Sequence, residues 1–477
     1  MEAQDGKHPP VSSVKNAIRS LKRLLLKLDM NKKLIQTSKP NIPSMLENLS
    51  LKNIGPADEL DFEFGSRLNF VTGDNGLGKT FLLDVAWWAL TRTWADNRVL
   101  HPTSDVEEAQ IAYHVHGKSG PNQKVTLAYR KADLDWSLPP RRPPSPGLIL
   151  YARIDGGFSL WDPERNYWNE KATETHARID RPASFQFSKK QLWEGLEDDA
   201  GKKICRGLLE DWETWSLKAN GMFSLLKAVL ETLSPGANDI PLKPGKSVRV
   251  PGMGVQDVPT LAMPYGDVPL HQSSAGIRRI LSLAYMLVWA WSEHKEAAKL
   301  RGHESTNRIV LLWDEVEAHL HPQWQRTIMP ATVKALEYLL NGKDETQVQV
   351  IATTHAPFVL ASLETIFDET QDRLFSLELT HEGRVERTNI TWSKQGDIVS
   401  WLKSPAFDMQ SGYSREAEGV LKAAQAWLAN RKESLPENLN TVESITKGLK
   451  SSLADDDPFW PRWNVLTGRI SKDGEVK

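Results

Sequence analysis

Apolar positions change period several times along the chain, and each change predicts an element. Over residues 11–36, Val14, Ile18, Leu21, Leu25 and Leu28 recur at 4-3-4-3 spacing behind Ser12 and Ser13, which predicts a capped basic amphipathic helix. The stripe covers two heptads, so docking on the protein's own body and self-association both fit it, with acidic lipid or nucleic acid a third option. After the break SKPNIPS, the alternating segments ENLSLKNI and ELDFEF predict strands of an antiparallel edge sheet. LNFVTG is a short unbroken apolar run, hence a buried strand, and KTFLLDVAWWALTRTWA reads as a helix. Residues 101–187 read as β-rich and irregular around the loop LPPRRPPSPG.

Three-four spacing returns in KKQLWEGL, KKICRGLLEDWETW and NGMFSLLKAVLETL, predicting helices across 188–234. Residues 235–270, rich in Pro and Gly, read as loop. A helix follows over about 275–294, then two apolar strands, RIVLLWDE and VQVIATTH, separated by a helix near 322–341. LFSLELTHEGRVERTNI predicts a hairpin, and the remainder a helical tail. The expected divisions are residues 1–40 (amphipathic helix), 41–187, 188–270 (helical insertion and loop), 271–400 and 401–477 (tail).

Composition narrows the class. The chain has 477 residues, 40% hydrophobic and 25% charged, with a net charge of −2, so nucleic-acid binding would require a local basic patch. No apolar run is long enough to span a bilayer and the N-terminus carries no apolar signal core, which predicts a cytoplasmic protein without a membrane partner. One cysteine, Cys205, rules out an internal disulfide framework. Eighteen tryptophans read chiefly as core and domain-contact packing.

Between the buried strand and the helix stands GDNGLGKT, a G-x-x-x-x-G-K-[ST] loop made of Gly73, Asp74, Asn75, Gly76, Leu77, Gly78, Lys79 and Thr80, with Phe81 next in line. Three glycines let the backbone wrap a phosphate with its N–H groups inward, at a helix N-terminus. Lys79 would neutralise β/γ oxygens, and Thr80 would offer its hydroxyl to Mg²⁺. IVLLWDE ends in two carboxylates, as expected of a strand beside the phosphate loop. Asp314 would hold Mg²⁺ and Glu315 would polarise the attacking water. His355, closing VQVIATTH, would reach the γ-phosphate or the water. His319 and His321 in EAHLHP lack a third ligand at zinc spacing and read as a turn at a dimer seam. Ser273 or Ser274 in HQSSAGIRRIL can cap a helix whose small residues, Ala275 and Gly276, leave room for a phosphate.

The order of these motifs resembles the ABC-type ATPase heads of the RecF, Rad50 and OLD families across residues 45–400. SSAGI stands where those families carry a signature such as LSGGQ, and DEVEAHLHP resembles their DEPEAHLHP. Ala275 replaces a glycine and Val316 the usual proline. The resemblance implies an α/β P-loop NTPase of ABC-head type, with a mixed sheet plus an antiparallel β edge, a helical and β insertion and a helical tail. It further implies ATP and Mg²⁺ as cofactors. It also implies that two copies sandwich ATP, with Ser274, Ala275 and Gly276 of one contacting nucleotide held by Lys79, Glu315 and His355 of the other. Gln186 and Gln191 are the candidates for the family's Q-loop glutamine.

The insertion of about 190 residues between phosphate loop and signature lacks sustained heptads, against long Rad50-like arms. Neither ADDDP at 454–458 nor Glu293-x-Lys295 has nuclease context, so nuclease activity is not expected in this chain. GDIVSWLKSPAFDMQSGYSREAEGVLK, AWWALTRTWA and SLAYMLVWAW resemble stand-alone ATPases of Septu-type and retron-associated anti-phage systems. That implies a separately encoded nuclease partner, HNH-type favoured. The alternative is a RecF-like DNA-repair clamp that binds DNA.

Overall fold

The computed structural model describes residues 44–95, 109–117, 123–137, 145–166, 182–218, 221–235, 241–251, 257–340, 345–409, 411–431, 433 and 435–468. The chain divides into two units, Met1–Pro43 and Ser44–Lys477. The first, with the helix expected at 14–28, lies outside the described residues, as does most of LPPRRPPSPG.

The apolar strands assemble into one eight-stranded sheet, in the order Val385–Asn389, Arg373–Leu379, Leu68–Gly73, Gln347–Thr353, Arg308–Trp313, Leu148–Ala152, Phe158–Trp161, Phe185–Phe187. The five strands from Arg373–Leu379 to Leu148–Ala152 run parallel, and the outer strands pair antiparallel. Parallel strands covered on both faces need apolar residues at every position, which is why LNFVTG and RIVLLW show no alternation. Period two reappears in the packing. Val71, Val310, Leu312 and Ile351 face one core, while Phe70, Ile309, Leu311 and Val350 face the other.

The first core is closed by the helix Lys79–Thr91 and by a second, antiparallel sheet. Its strand order is Glu59–Glu63, Leu46–Lys52, Gln110–Val115, Gln123–Arg130, Asp135–Trp136. The second core is closed by the helices Met222–Leu233, Ala275–Leu300 and Ile328–Leu339. A third, smaller core joins Leu421, Ile445, Leu449 and Trp463 of the tail helices Arg415–Leu428, Val442–Ser452 and Phe459–Leu466. The expected α/β P-loop fold, a mixed sheet beside an antiparallel one, is therefore the fold adopted. Among the described residues six tryptophans, including Trp87, Trp161 and Trp313, are completely buried, the packing role expected of them. No helix among the described residues is long and apolar enough to cross a membrane.

Four elements differ from the sequence pattern. KKICRGL is not helical: Lys203–Cys205 pairs antiparallel with Leu196–Glu197, and the helix begins only at Leu208, behind Gly207 at φ 85°. The loop 235–270 contains a hairpin, Thr260–Met263 against Gly266–Pro269. The helix expected to end near 294 continues to Leu300, because His294 and Ala298 extend its buried face through a polar stretch. The helix near 322–341 is two, Pro322–Gln325 and Ile328–Leu339, separated where Thr327 adopts φ −129°.

Candidate functional site

The phosphate loop forms because the strand Leu68–Gly73 ends in residues able to take left-handed geometry. Gly73, Gly76 and Gly78 have φ of 129°, 81° and 94°. At Gly78 both dihedral and space require glycine, since a Cβ there would lie 2.6 Å from Pro56 Cγ. Gly78 caps the helix Lys79–Thr91. Asp74, Asn75, Gly76 and Thr80 are exposed, Leu77 is buried, and Phe81 packs its ring on Gly55. Lys79 is buried, and its Nζ donates to the carbonyls of Gly73 (2.8 Å) and Asp74 (2.7 Å). Burial lowers the Lys79 pKa, while Glu315, Asp314, Asp74 and Glu317 draw it back up.

The neighbouring strand end supplies the acids. Asp314 is buried, with Oδ2 accepting from Thr80 Oγ1 (2.7 Å) and Oδ1 from Thr353 Oγ1 (2.8 Å). Thr80 and Asp314 thus present two hard oxygens side by side, the donor chemistry that Mg²⁺ takes. Glu315 adopts φ 46°, and its N–H donates to Thr353 Oγ1 (2.8 Å). The next N–H, of Val316, donates to Thr353 O (3.1 Å), a bond that a proline there could not make.

Glu315 Oε1 lies 3.6 Å from His355 Nε2, too far for a hydrogen bond, and that nitrogen has no hydrogen-bond partner. The gap suits a bridging water. Burial raises the Glu315 pKa, opposed by His355. Glu317 then ties the two strand ends together, accepting from His355 N at Oε1 (2.5 Å) and from Thr354 Oγ1 at Oε2 (2.7 Å). Lys79, Thr80, Asp314, Glu315 and His355, drawn from three separate segments, therefore meet.

Sequence reasoning missed Thr353, Thr354, Glu317 and Arg279. The two hydroxyls before His355 and the second acid of DEVE were the available signals. For Arg279 there was none: it reads as a charge on a helix surface. In the fold it is buried, with both terminal guanidinium nitrogens lacking hydrogen-bond partners. Burial lowers its pKa to about 10, against the pull of Asp155 and Asp314.

The serine quartet resolves differently. Ser273 is buried, its Oγ donating to Leu270 O (2.6 Å). Ser274 is the N-cap of Ala275–Leu300, accepting from Ile277 N (3.3 Å). Ser274 and Ala275 are exposed. Gly276 meets the turn after the acid strand so closely that a Cβ would stand 2.7 Å from His319 O. Ser274, Ala275, Gly276, His319, His321 and Trp324 contribute to a groove of about 650 Å³, and no phosphate-loop residue lines it. His321 caps Pro322–Gln325 through Nδ1, and neither it nor His319 joins a metal-ligand cluster among the described residues.

Both glutamine candidates have structural duties. Gln186 Oε1 accepts from Arg153 Nη1 (3.1 Å) and Ser159 Oγ (2.5 Å), and Gln191 completes a capping box with Ser188. Glu293 approaches Arg165 (3.9 Å). Asp457 of ADDDP caps Phe459 N (2.8 Å) and accepts from Tyr413 (3.0 Å).

Two family models match parts of the chain. One, "AAA domain", covers residues 48–199, and the other, "AAA domain, putative AbiEii toxin, Type IV TA system", covers 264–361. Among solved structures, the SMC head domain from Thermotoga maritima aligns at 14% identity and TM-score 0.34, over 73% of this chain and 99% of that one. The Smc head with an extended coiled coil, bound to the C-terminal domain of ScpA from Pyrococcus furiosus, gives 14% and 0.38, over 73% and 97%. The RecF–ATP structure of the recombination mediator in the RecFOR pathway gives 14% and 0.33, over 72% and 97%. At such values the structural likenesses carry no argument of their own. The phosphate loop, the paired acids beside it and the two partial AAA-domain matches support ATP binding and hydrolysis at a P-loop site.

Proposed function

We propose that this chain is an ATP-hydrolysing head that closes on a second copy of itself around ATP and serves as the ATPase subunit of an anti-phage defence complex with a separately encoded nuclease. The observation that carries the dimer is the exposed Ser274–Ala275 helix start, held against the His319–His321 turn in a groove that the phosphate loop does not line. A capped helix N-terminus with free backbone N–H groups is an anion site, and the γ-phosphate of nucleotide held by the other copy is the matching anion.

In this reading Lys79 and the loop amides hold the phosphates, while Thr80 and Asp314 would hold Mg²⁺, which supplies charge neutralisation when bound. Glu315, ionised, takes the proton of the attacking water; the new bond forms at the γ-phosphorus as the bridge to the β-phosphate breaks. His355 orients that water, and the other copy's Ser274 contacts the γ-phosphate. The defence assignment rests on the resemblance of the tail motifs; the model matched over 264–361 carries a type IV toxin–antitoxin description. Glu315→Gln should hold ATP unhydrolysed and sediment as a dimer with ATP and Mg²⁺, and as a monomer without; sedimentation indifferent to nucleotide sinks the dimer. Purification from the native operon with ATP should retain a nuclease. Recovery of the head with DNA and no nuclease would favour a repair clamp instead.

A further inference from the structure

Away from the phosphate loop, the antiparallel sheet carries a cluster that the ATPase reading does not use. His114 lies on the strand Gln110–Val115, and His116 follows two residues on, so both rings project from the same face. Opposite them is Glu47, at the point where the register of the strand Leu46–Lys52 shifts between Leu46 and Asn48. A bulge re-aims its side chain, and here it turns one carboxylate oxygen between two imidazoles. Glu47 Oε2 stands 2.5 Å from His114 Nδ1 and 2.6 Å from His116 Nε2, and the two rings are 4.4 Å apart. One ligand atom from each of the three residues falls within 4.8 Å of the others.

Two features separate this cluster from an ordinary surface ion pair. His116 is buried, with 8% of its surface exposed, and its Nδ1 is enclosed without a hydrogen-bond partner. That nitrogen lies on the other side of the ring from Nε2, the atom that meets Glu47, so burial holds the ring with Nε2 turned toward the carboxylate. The two rings also converge on a single oxygen, although a carboxylate offers two. The two nitrogens now contact that oxygen directly, so a cation bonded at about 2.0–2.1 Å to each donor would enter as the three atoms move apart by roughly 0.8 Å.

We propose that Glu47, His114 and His116 form a binding site for a zinc-class divalent first-row metal ion. Two imidazole nitrogens and one carboxylate suit the intermediate softness of Zn²⁺ rather than the all-oxygen preference of Mg²⁺. Three protein ligands leave a fourth position for water. Glu47 lies on the strand Leu46–Lys52 and the histidines at the C-terminal end of its neighbour Gln110–Val115, so the ion clamps these two strands together.

The test uses the full chain, stripped with a chelator and dialysed against micromolar Zn²⁺ in buffer containing Mg²⁺. One Zn²⁺ per chain is expected by elemental analysis, with visible d–d absorption of tetrahedral strength when Co²⁺ is substituted. The His114→Ala/His116→Ala double variant should lose that stoichiometry, and Glu47→Gln should weaken Zn²⁺ binding at least tenfold. Zn²⁺ should raise the melting temperature of the parent and leave that of the double variant unchanged. If the parent retains no Zn²⁺ above the buffer level, or if binding is the same in the variants, the site does not exist. Should the double variant fail to fold, Glu47→Gln decides alone, since it preserves side-chain shape; unchanged affinity there overturns the proposal.

Discussion

Gly276→Ala adds one methyl group where the signature helix meets the turn after the acid strand. The new Cβ would sit 2.7 Å from His319 O. Carbon and oxygen settle at about 3.3–3.6 Å in close packing, so the overlap is roughly 0.6 Å or more. The obstructing atom is backbone, and His319 already holds a left-handed φ of 64°, which leaves the turn little freedom to yield. Overpacking of this kind costs about 1–3 kcal/mol. Strain this local should lower the melting temperature and displace Ser274 relative to His319, without touching the phosphate loop. The assay pairs thermal melting with nucleotide binding to the monomer and with ATP-dependent sedimentation. Expected are a lower melting temperature, ATP binding within about twofold of the parent, as sites without shared contacts behave independently, and loss of the dimer. A variant that melts and dimerises like the parent refutes the claim that this contact sets the position of Ser274.

Glu315→Gln should reduce phosphate release by about 10²–10⁴-fold, the range for a lost general base. Because burial raises the Glu315 pKa and the base must be ionised, parental turnover should fall as pH drops through that raised value; an acid limb that persists in the Gln variant would exclude Glu315 as the titrating group. Ser274→Arg should leave ATP binding to the monomer intact and abolish dimerisation and turnover, and active dimers would remove Ser274 from the site. Asp211, buried and hydrogen-bonded by Tyr285 Oη (2.7 Å), has its pKa raised by burial from 3.8 to about 6. The folded state therefore binds this proton more tightly than the unfolded one, so stability is greatest below about pH 4 for this group and declines as pH rises toward 6. Above that the ionisation penalty is on the order of 3 kcal/mol. Asp211→Asn should accordingly gain stability over the parent at pH 7 and little at pH 4 in denaturant titrations; an equal difference at both pH values would contradict it.

The phosphate loop was legible because its parts are contiguous: Gly73, Gly78, Lys79 and Thr80 act through backbone geometry that eight residues can encode. The paired acids were legible for a similar reason, standing at the end of an apolar run that could only be a buried strand. Ser273 and Ser274 were indistinguishable as helix caps in the local sequence, and only the family resemblance pointed to Ser274. Only the turn at Leu270, which takes the Ser273 hydroxyl, leaves Ser274 as the exposed one. KKICRGL misled because its apolar spacing fits a helix, while Gly207 and the pairing with Leu196–Glu197 break it.

Local sequence, then, determined the elements with strong period, the loop chemistry and the identity of the acids, because these depend on neighbours within a few residues. Tertiary structure alone decided what converged. Thr353 reaches Asp314 and the Glu315 N–H only because strands far apart in sequence lie side by side in register. Glu317 fixes His355 across the same seam. Arg279 changes from a surface charge to a buried cation, and Glu47 meets His114 and His116 through a bulge and a strand pairing. Such meetings depend on register and burial, which a one-dimensional pattern constrains only through the cores that the folded chain finally closes.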